Sequence, residues 1–167
     1  MKTRFHTVFQ IVLIALMICT VSFTFTQSAL SKEASTQVSE TVKEVIETIL
    51  PADTETGEFV QENVRELAHF FEFAALGFLV SLYVALYMPE MGICLSRKKA
   101  YIAASYACAP IIALFDETIQ FFSHRAPDVL DVWLDTAGYV SFATLTYAAF
   151  LLVVYIRKRR LSKSEQN

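Results

Sequence analysis

The residues of this chain best able to do chemistry are crowded into one stretch. Residues 115–138 carry Asp116, Glu117, Gln120, His124, Arg125, Asp128, Asp131 and Asp135. His69 and Glu72 lie earlier and are three apart, so they share a face of any helix that holds them. Carboxylates and an imidazole move protons, which makes Glu117, Asp131, His69 and Glu72 the candidate catalytic groups. A guanidinium binds phosphate or carboxylate through two parallel hydrogen bonds. Arg125 is therefore the candidate ligand anchor, with Asp116, Gln120 and Asp135 beside it. One histidine among several carboxylates also suits a hard or borderline divalent cation, although no tight ligand spacing is present. Ser123 adjoins His124, but neighbours in sequence do not make a nucleophile–base pair. Cys19, Cys94 and Cys108 have neither metal-ligand spacing nor the pattern of a disulfide framework, and are expected to be buried, inert thiols.

The setting makes these polar groups costly. AYIAASYACAPIIAL precedes them and YVSFATLTYAAFLLVVYI follows. The 167 residues are 54% hydrophobic and only 19% charged, with a mean hydropathy of +0.43. That is too apolar for an ordinary soluble domain. There is no glycine-rich phosphate loop and no repeat, and nothing points to nucleic acid as a partner. Four stretches, about 8–26, 67–88, 100–122 and 128–156, each hold enough apolar residues to cross a bilayer as a helix. The predicted fold is an all-α polytopic membrane protein with four transmembrane helices. Ionisable residues inside such a segment mark a functional site by default.

Local signals set the limits of the spans. The first is longer than a signal-peptide core and lacks an A-x-A site, so it is expected to be retained. Pro89 and Gly92 end the second. Pro110 should kink or loosen the third. The link from His124 to Pro127 allows only an antiparallel hairpin, with Pro127 suited to the first turn of the fourth helix. Arg157, Lys158, Arg159 and Arg160 are expected to stop that helix. Lys2, Arg4, Arg97, Lys98, Lys99, these four and Lys163 then fall on one side. The positive-inside rule puts both termini in the cytoplasm.

The acidic segment 27–66 then faces outward. Within it Val38, Val42, Val45, Ile46, Ile49 and Leu50 recur at helical spacing, predicting an amphipathic extracellular helix that Pro51 ends. Thr41 and Glu44 have the spacing of a capping box, although the stripe starts before them. The stripe suits the top of the bundle or the bilayer interface, or a protein partner docking from Val38 to Leu50.

At about 1.5 Å of rise per residue, three helices bring ionisable groups to one depth in the outer leaflet. Asp128, Asp131, Asp135 and Gly138 step by three, four and three, which is one helix face. Asp131 and Asp135 should point inward, since lipid would leave them unpaired. Asp116 and Glu117 are about 100° apart on a helix and should not point the same way. Gly138 permits close helix approach.

Residues 115–138 resemble the signature of the VanZ-like membrane proteins, a run of D-E-x-x-Q, then R, D, N or D, and G. Here these are Asp116, Glu117, Gln120, Arg125, Asp131, Asp135 and Gly138. VRELAHFFEFAALGFL is similar to the family's R-x-x-A-H-F-x-E-Y-x-x-L-G segment through Arg65, His69, Phe70, Glu72 and Gly77. Phe73 stands where tyrosine is common, Asp135 where asparagine is frequent, and Phe142 where a second glycine is often seen. The resemblance implies a single VanZ-like domain over residues 1–167 in a bacterial cytoplasmic membrane. It also implies a role in glycopeptide resistance of the teicoplanin type or in cell-envelope homeostasis, and carries no established biochemical activity.

Three readings of the cluster stay open. It can be an ion-pair network that holds three helices together. It can be a catalytic or binding pocket for a lipid-linked cell-wall precursor or a lipid headgroup, with or without a divalent cation. It can also belong to a non-enzymatic membrane scaffold or partner protein. Glu72, Asp116, Glu117, Asp131 and Asp135 outnumber the cations Arg125 and His69, which implies raised carboxyl pKa values, a bound cation or an exchangeable ligand rather than a balanced network.

Overall fold

The computed structural model describes residues 2–49, 54–87, 95–123, 125 and 128–164. Leu50, Pro51, Pro89, Gly92, Cys94, His124 and Pro127 lie outside the described residues, as do the side chains of Lys2, Arg4 and Lys163. Six helices follow in order: α1 (Lys2–Ser28), α2 (Lys32–Ile49), α3 (Glu55–Glu62), α4 (Val64–Tyr87), α5 (Leu95–Phe122) and α6 (Val129–Ser164). Four of them, α1, α4, α5 and α6, contain stretches long and apolar enough to cross a membrane.

Several boundaries differ from expectation for local reasons. Helix α6 does not stop at Arg157–Arg160 but continues to Ser164. Arginine and lysine are good helix formers and are favoured near a helix C-terminus, so they end the apolar stretch and not the helix. Thr41 is not a cap. It lies within α2 and donates to the Gln37 carbonyl at 3.0 Å, while Ser31 Oγ accepts from the Ala34 amide at 3.3 Å ahead of the first turn. Helix α3 was not expected; Thr54 caps it by accepting from the Gly57 amide at 3.0 Å. Helix α5 runs unbroken through Pro110.

Helix pairing is antiparallel. At one end Gln10 Nε2 donates to Tyr83 Oη at 3.1 Å, and Tyr87 Oη donates to the His6 carbonyl at 3.3 Å, joining the start of α1 to the end of α4. Ser105 and Tyr147 share a 2.8 Å hydrogen bond, and Tyr106 and Thr144 one of 2.9 Å, joining the first half of α5 to the middle of α6. The basic residues Arg97–Lys99 and Arg157–Arg160 lie toward this end. The acidic cluster lies at the other.

The tightest contact is between α4 and α6, and glycines make it. A Cβ on Gly77 would overlap the Tyr139 carbonyl oxygen, and one on Gly138 would overlap that of Phe70. Around this crossing Phe73, Leu76, Ala109, Ala113, Tyr139 and Ala143 form the buried core, with small alanines letting α5 come close.

Burial is inverted relative to a water-soluble protein. Gln120, Asp116 and Asp135 are among the largest fully buried side chains, whereas Ile11, Phe23, Leu114 and Leu151 lie on the surface. Such a surface is stable against hydrocarbon. The same inversion corrects the cysteine expectation: Cys19 and Cys108 are free thiols but exposed, on faces where the surroundings are apolar. Trp133, Phe121 and Phe122 are exposed near the acidic end, and Tyr101 and Tyr155 near the basic end. Aromatic side chains at both ends match the belts found at membrane–water interfaces.

Candidate functional site

Four helix ends build the cluster. The last turns of α1 supply Thr24 and Ser28, and the first turns of α4 supply Arg65, His69 and Glu72. The last turns of α5 supply Asp116, Glu117 and Gln120, and the first turns of α6 supply Asp131 and Asp135. Arg125 comes from the segment between α5 and α6.

Gln120 is the centre of a connected network. Its Nε2 donates to Asp116 Oδ2 at 3.0 Å and to Glu117 Oε1 at 2.9 Å. Its Oε1 accepts from Arg65 Nη2 at 3.2 Å, and its backbone carbonyl accepts from the Arg125 amide at 3.1 Å. Asp116 and Glu117 do diverge by a helical step, yet both are buried, because the two protons of one amide bridge the angle between them. Ser28 Oγ donates to Asp116 Oδ1 at 2.6 Å. Both Asp116 oxygens are therefore engaged.

Glu117 is engaged as well. Its second oxygen accepts from the Asp128 backbone amide at 2.9 Å, and Asp128 Oδ1 accepts from the Leu130 amide at 2.8 Å. These bonds hold the turn that starts α6. Asp128 is exposed and outside the cluster, although it shares a sequence period with Asp131 and Asp135. It is the cap, and α6 begins one residue after it. Asp131 is half-buried and interacts electrostatically with His69 and Arg65.

The remaining residues each keep a polar atom without a partner among the described residues. Asp135 is fully buried, and neither of its carboxylate oxygens has a hydrogen bond among the described residues. His69 Nδ1 is likewise unpartnered, 3.9 Å from Asp135 Oδ1 and 4.0 Å from Asp116 Oδ2. Glu72 Oε2 is unpartnered, although Thr24 approaches the carboxylate. Arg125 is only 6% exposed, and its Nε and Nη2 have no acceptor among the described residues.

Of these, His69, Glu72 and Arg125, together with Gln27 and Arg65, line the polar side of a cavity of about 250 Å³ between α1, α2 and α4; Asp135 is buried behind it. Val38 and Val42 of α2 line its opposite wall and, like Val45 and Ile49 of the same stripe, are exposed. A shallower apolar groove of about 550 Å³ runs between α1 and α4 along Cys19, Thr20, Phe71 and Ala75. Phe23, Ala68 and Glu72 line both, so the two adjoin.

A model of the VanZ/LLP1 family matches residues 9–153. The chain belongs to the VanZ/LLP1 family. The match takes in every residue of the cluster and cavity. No curated protein and no solved structure matched. In this VanZ/LLP1 chain the signature residues Arg65, His69, Glu72, Asp116, Glu117, Gln120, Arg125, Asp131 and Asp135 converge at one end of the bundle.

Ser28, Thr24 and the direct role of Arg65 are not apparent from residue type alone. The signal was the four-residue step between Thr24 and Ser28 in the last turns of α1, one face toward the bundle. Ser28→Ala strands a buried carboxylate oxygen, a loss worth about 1–3 kcal/mol. A lowered melting temperature of the detergent-solubilised protein is the expected result; an unchanged one would detach α1 from the network.

Proposed function

We propose that this chain binds the phosphate of an amphiphile in the cavity beside Arg125, with the apolar tail in the adjoining groove between α1 and α4. The carrying observation is the buried Arg125 guanidinium on the wall of a cavity that Arg65 also lines; among the described residues its Nε and Nη2 have no acceptor. Leaving such a group unpaired is costly, and a phosphate accepts two parallel N–H bonds from it. The volume agrees: about 250 Å³ is near the lower bound of small-molecule sites, about 300 Å³. It suits a headgroup and is too small for a whole glycopeptide.

The source of the phosphate is a lipid-linked cell-wall precursor or a phospholipid headgroup. The cavity opens to the outer leaflet of a bacterial cytoplasmic membrane, both termini are cytoplasmic, and α2 covers the pocket with Val45 and Ile49 against the bilayer surface. The role is the one suggested for the family, glycopeptide resistance of the teicoplanin type or envelope homeostasis. His69 and Glu72 border the cavity and could exchange a proton with a bound ligand, whereas Glu117 has both oxygens committed.

A second reading, a scaffold held by a structural network, is favoured by the mutual satisfaction of Asp116, Glu117 and Gln120. Arg125→Gln separates the two. Losing two charge-assisted bonds weakens ligand binding by about 2–4 kcal/mol, roughly 30- to 1000-fold. Without ligand, removing an unpaired buried charge leaves the melting temperature unchanged or raised. The expected result is lost teicoplanin tolerance and altered precursor levels in cells whose Arg125→Gln protein accumulates and melts normally. A lowered melting temperature would support the scaffold.

Orientation has its own test. Glu58→Cys, in a chain with its native cysteines changed to serine, is expected to react with an impermeant maleimide on intact cells; labelling only after lysis would invert the topology.

A further inference from the structure

We propose that His69, Asp116 and Asp135 hold a divalent cation where α4, α5 and α6 meet. One ligand atom from each lies within 4.8 Å of the other two, and all three residues are at least nine-tenths buried. The distances from His69 Nδ1 to Asp116 Oδ2, 4.0 Å, and to Asp135 Oδ1, 3.9 Å, are too long for hydrogen bonds. They lie toward the upper end of what one ion spans, so an ion between them draws His69 and the two carboxylates slightly inward. Metal–ligand bonds of about 2.0–2.2 Å span donor pairs from about 3 Å apart, for neighbouring ligands, to about 4.2 Å, for opposite ones.

The orphaned atoms point to this occupant. His69 Nδ1 and both Asp135 oxygens lack partners, although no exposed route to water compensates the fully buried carboxylate. Asp116 is held in the manner of a supported ligand. Ser28 donates to one of its oxygens and Gln120 to the other, and each carboxylate oxygen keeps a further lone pair. A cation also corrects the charge imbalance, since among the described residues Glu72, Asp116, Glu117, Asp131 and Asp135 meet Arg65, Arg125 and His69 alone. One imidazole with two carboxylates selects a borderline ion such as Mn²⁺ or Zn²⁺. Ca²⁺, which takes six to eight oxygens, is disfavoured. The site stands on these residues whatever fills the adjoining cavity.

The competing arrangement is a proton on Asp135, which makes the carboxyl neutral and needs no metal. Full-length protein in detergent, freed of metal with chelator, separates the two when titrated with Mn²⁺ under electron paramagnetic resonance. The expected result is one saturable Mn²⁺ per chain, displaced by Zn²⁺, with binding at least about tenfold weaker in Asp135→Asn. His69→Gln should lose binding likewise, which covers the case where Asp135→Asn does not fold. Asp128→Asn, at an exposed cap, should keep it. Absence of saturable Mn²⁺ and Zn²⁺ uptake by the wild type would overturn the proposal, as would folded Asp135→Asn or His69→Gln titrating like wild type. Arg125→Gln is expected to keep the cation, so loss of lipid binding and loss of metal binding are separate results.

Discussion

Gly138→Leu is expected to yield no folded protein. The Cβ alone would overlap the Phe70 carbonyl oxygen, which belongs to the α4 backbone and cannot rotate aside. The helices must separate, and the contact they would lose is the closest in the bundle. Overpacking of a tight core costs about 1–3 kcal/mol, and more where backbone meets backbone. Even Gly138→Ala should destabilise, although alanine is about 1 kcal/mol better than glycine within a helix. The sign is informative: propensity predicts a gain, packing a larger loss. Gly77→Ala should behave alike, against the Tyr139 carbonyl. Phe70 is next to His69, so any separation also draws His69 away from Asp135. A Gly138→Ala protein melting at or above the wild-type temperature would show that this crossing is looser than described.

Gln120→Glu is the second large loss. The change is nearly isosteric, yet it removes the amide that donates to Asp116 and Glu117. A carboxylate in its place faces two others at hydrogen-bonding distance. Only Arg65, bonded to the far side of Gln120, would gain. Breaking a buried charged network typically costs about 3–5 kcal/mol. Gln120→Leu removes the same bonds without adding charge, so it should be the milder variant. The order of melting temperatures expected is wild type, then Gln120→Leu, then Gln120→Glu. Equal stability of Gln120→Glu and wild type would mean that the neighbouring carboxylates do not share a charged network.

The spans were legible because a bilayer-crossing helix must be apolar over its whole length. The ends were less so. Lipid sets where the apolar residues stop but not where hydrogen bonding stops, which is why α6 continues past Arg160. Helix α3, eight residues long, carries too few turns for a clear period. In the site, charged residues announced themselves by their cost in an apolar chain. Ser28 did not, because hydroxyls are common in such helices for another reason. Thr20 and Thr26 on the same helix donate to their own Leu16 and Ser22 carbonyls, and only tertiary packing turns Ser28 toward Asp116. The step from Asp128 to Asp135 suggested one functional face, but its first member serves the helix end. Residue type also could not separate Glu117, whose oxygens are both engaged, from Asp135, whose oxygens are both free.

The central claim is that the Arg125 cavity accepts the phosphate of an amphiphile. Native mass spectrometry of the purified full-length protein tests it with three probes: a phosphatidate, a polyprenyl phosphate, and a diacylglycerol matched to the phosphatidate. The expected result is saturable retention of at least one phosphorylated probe, no retention of diacylglycerol, and a loss of roughly 30-fold or more in Arg125→Gln. The phosphorylated probe held more tightly identifies the source, phospholipid or lipid-linked precursor. Equal retention of all three probes, or retention that Arg125→Gln leaves intact, would contradict the claim.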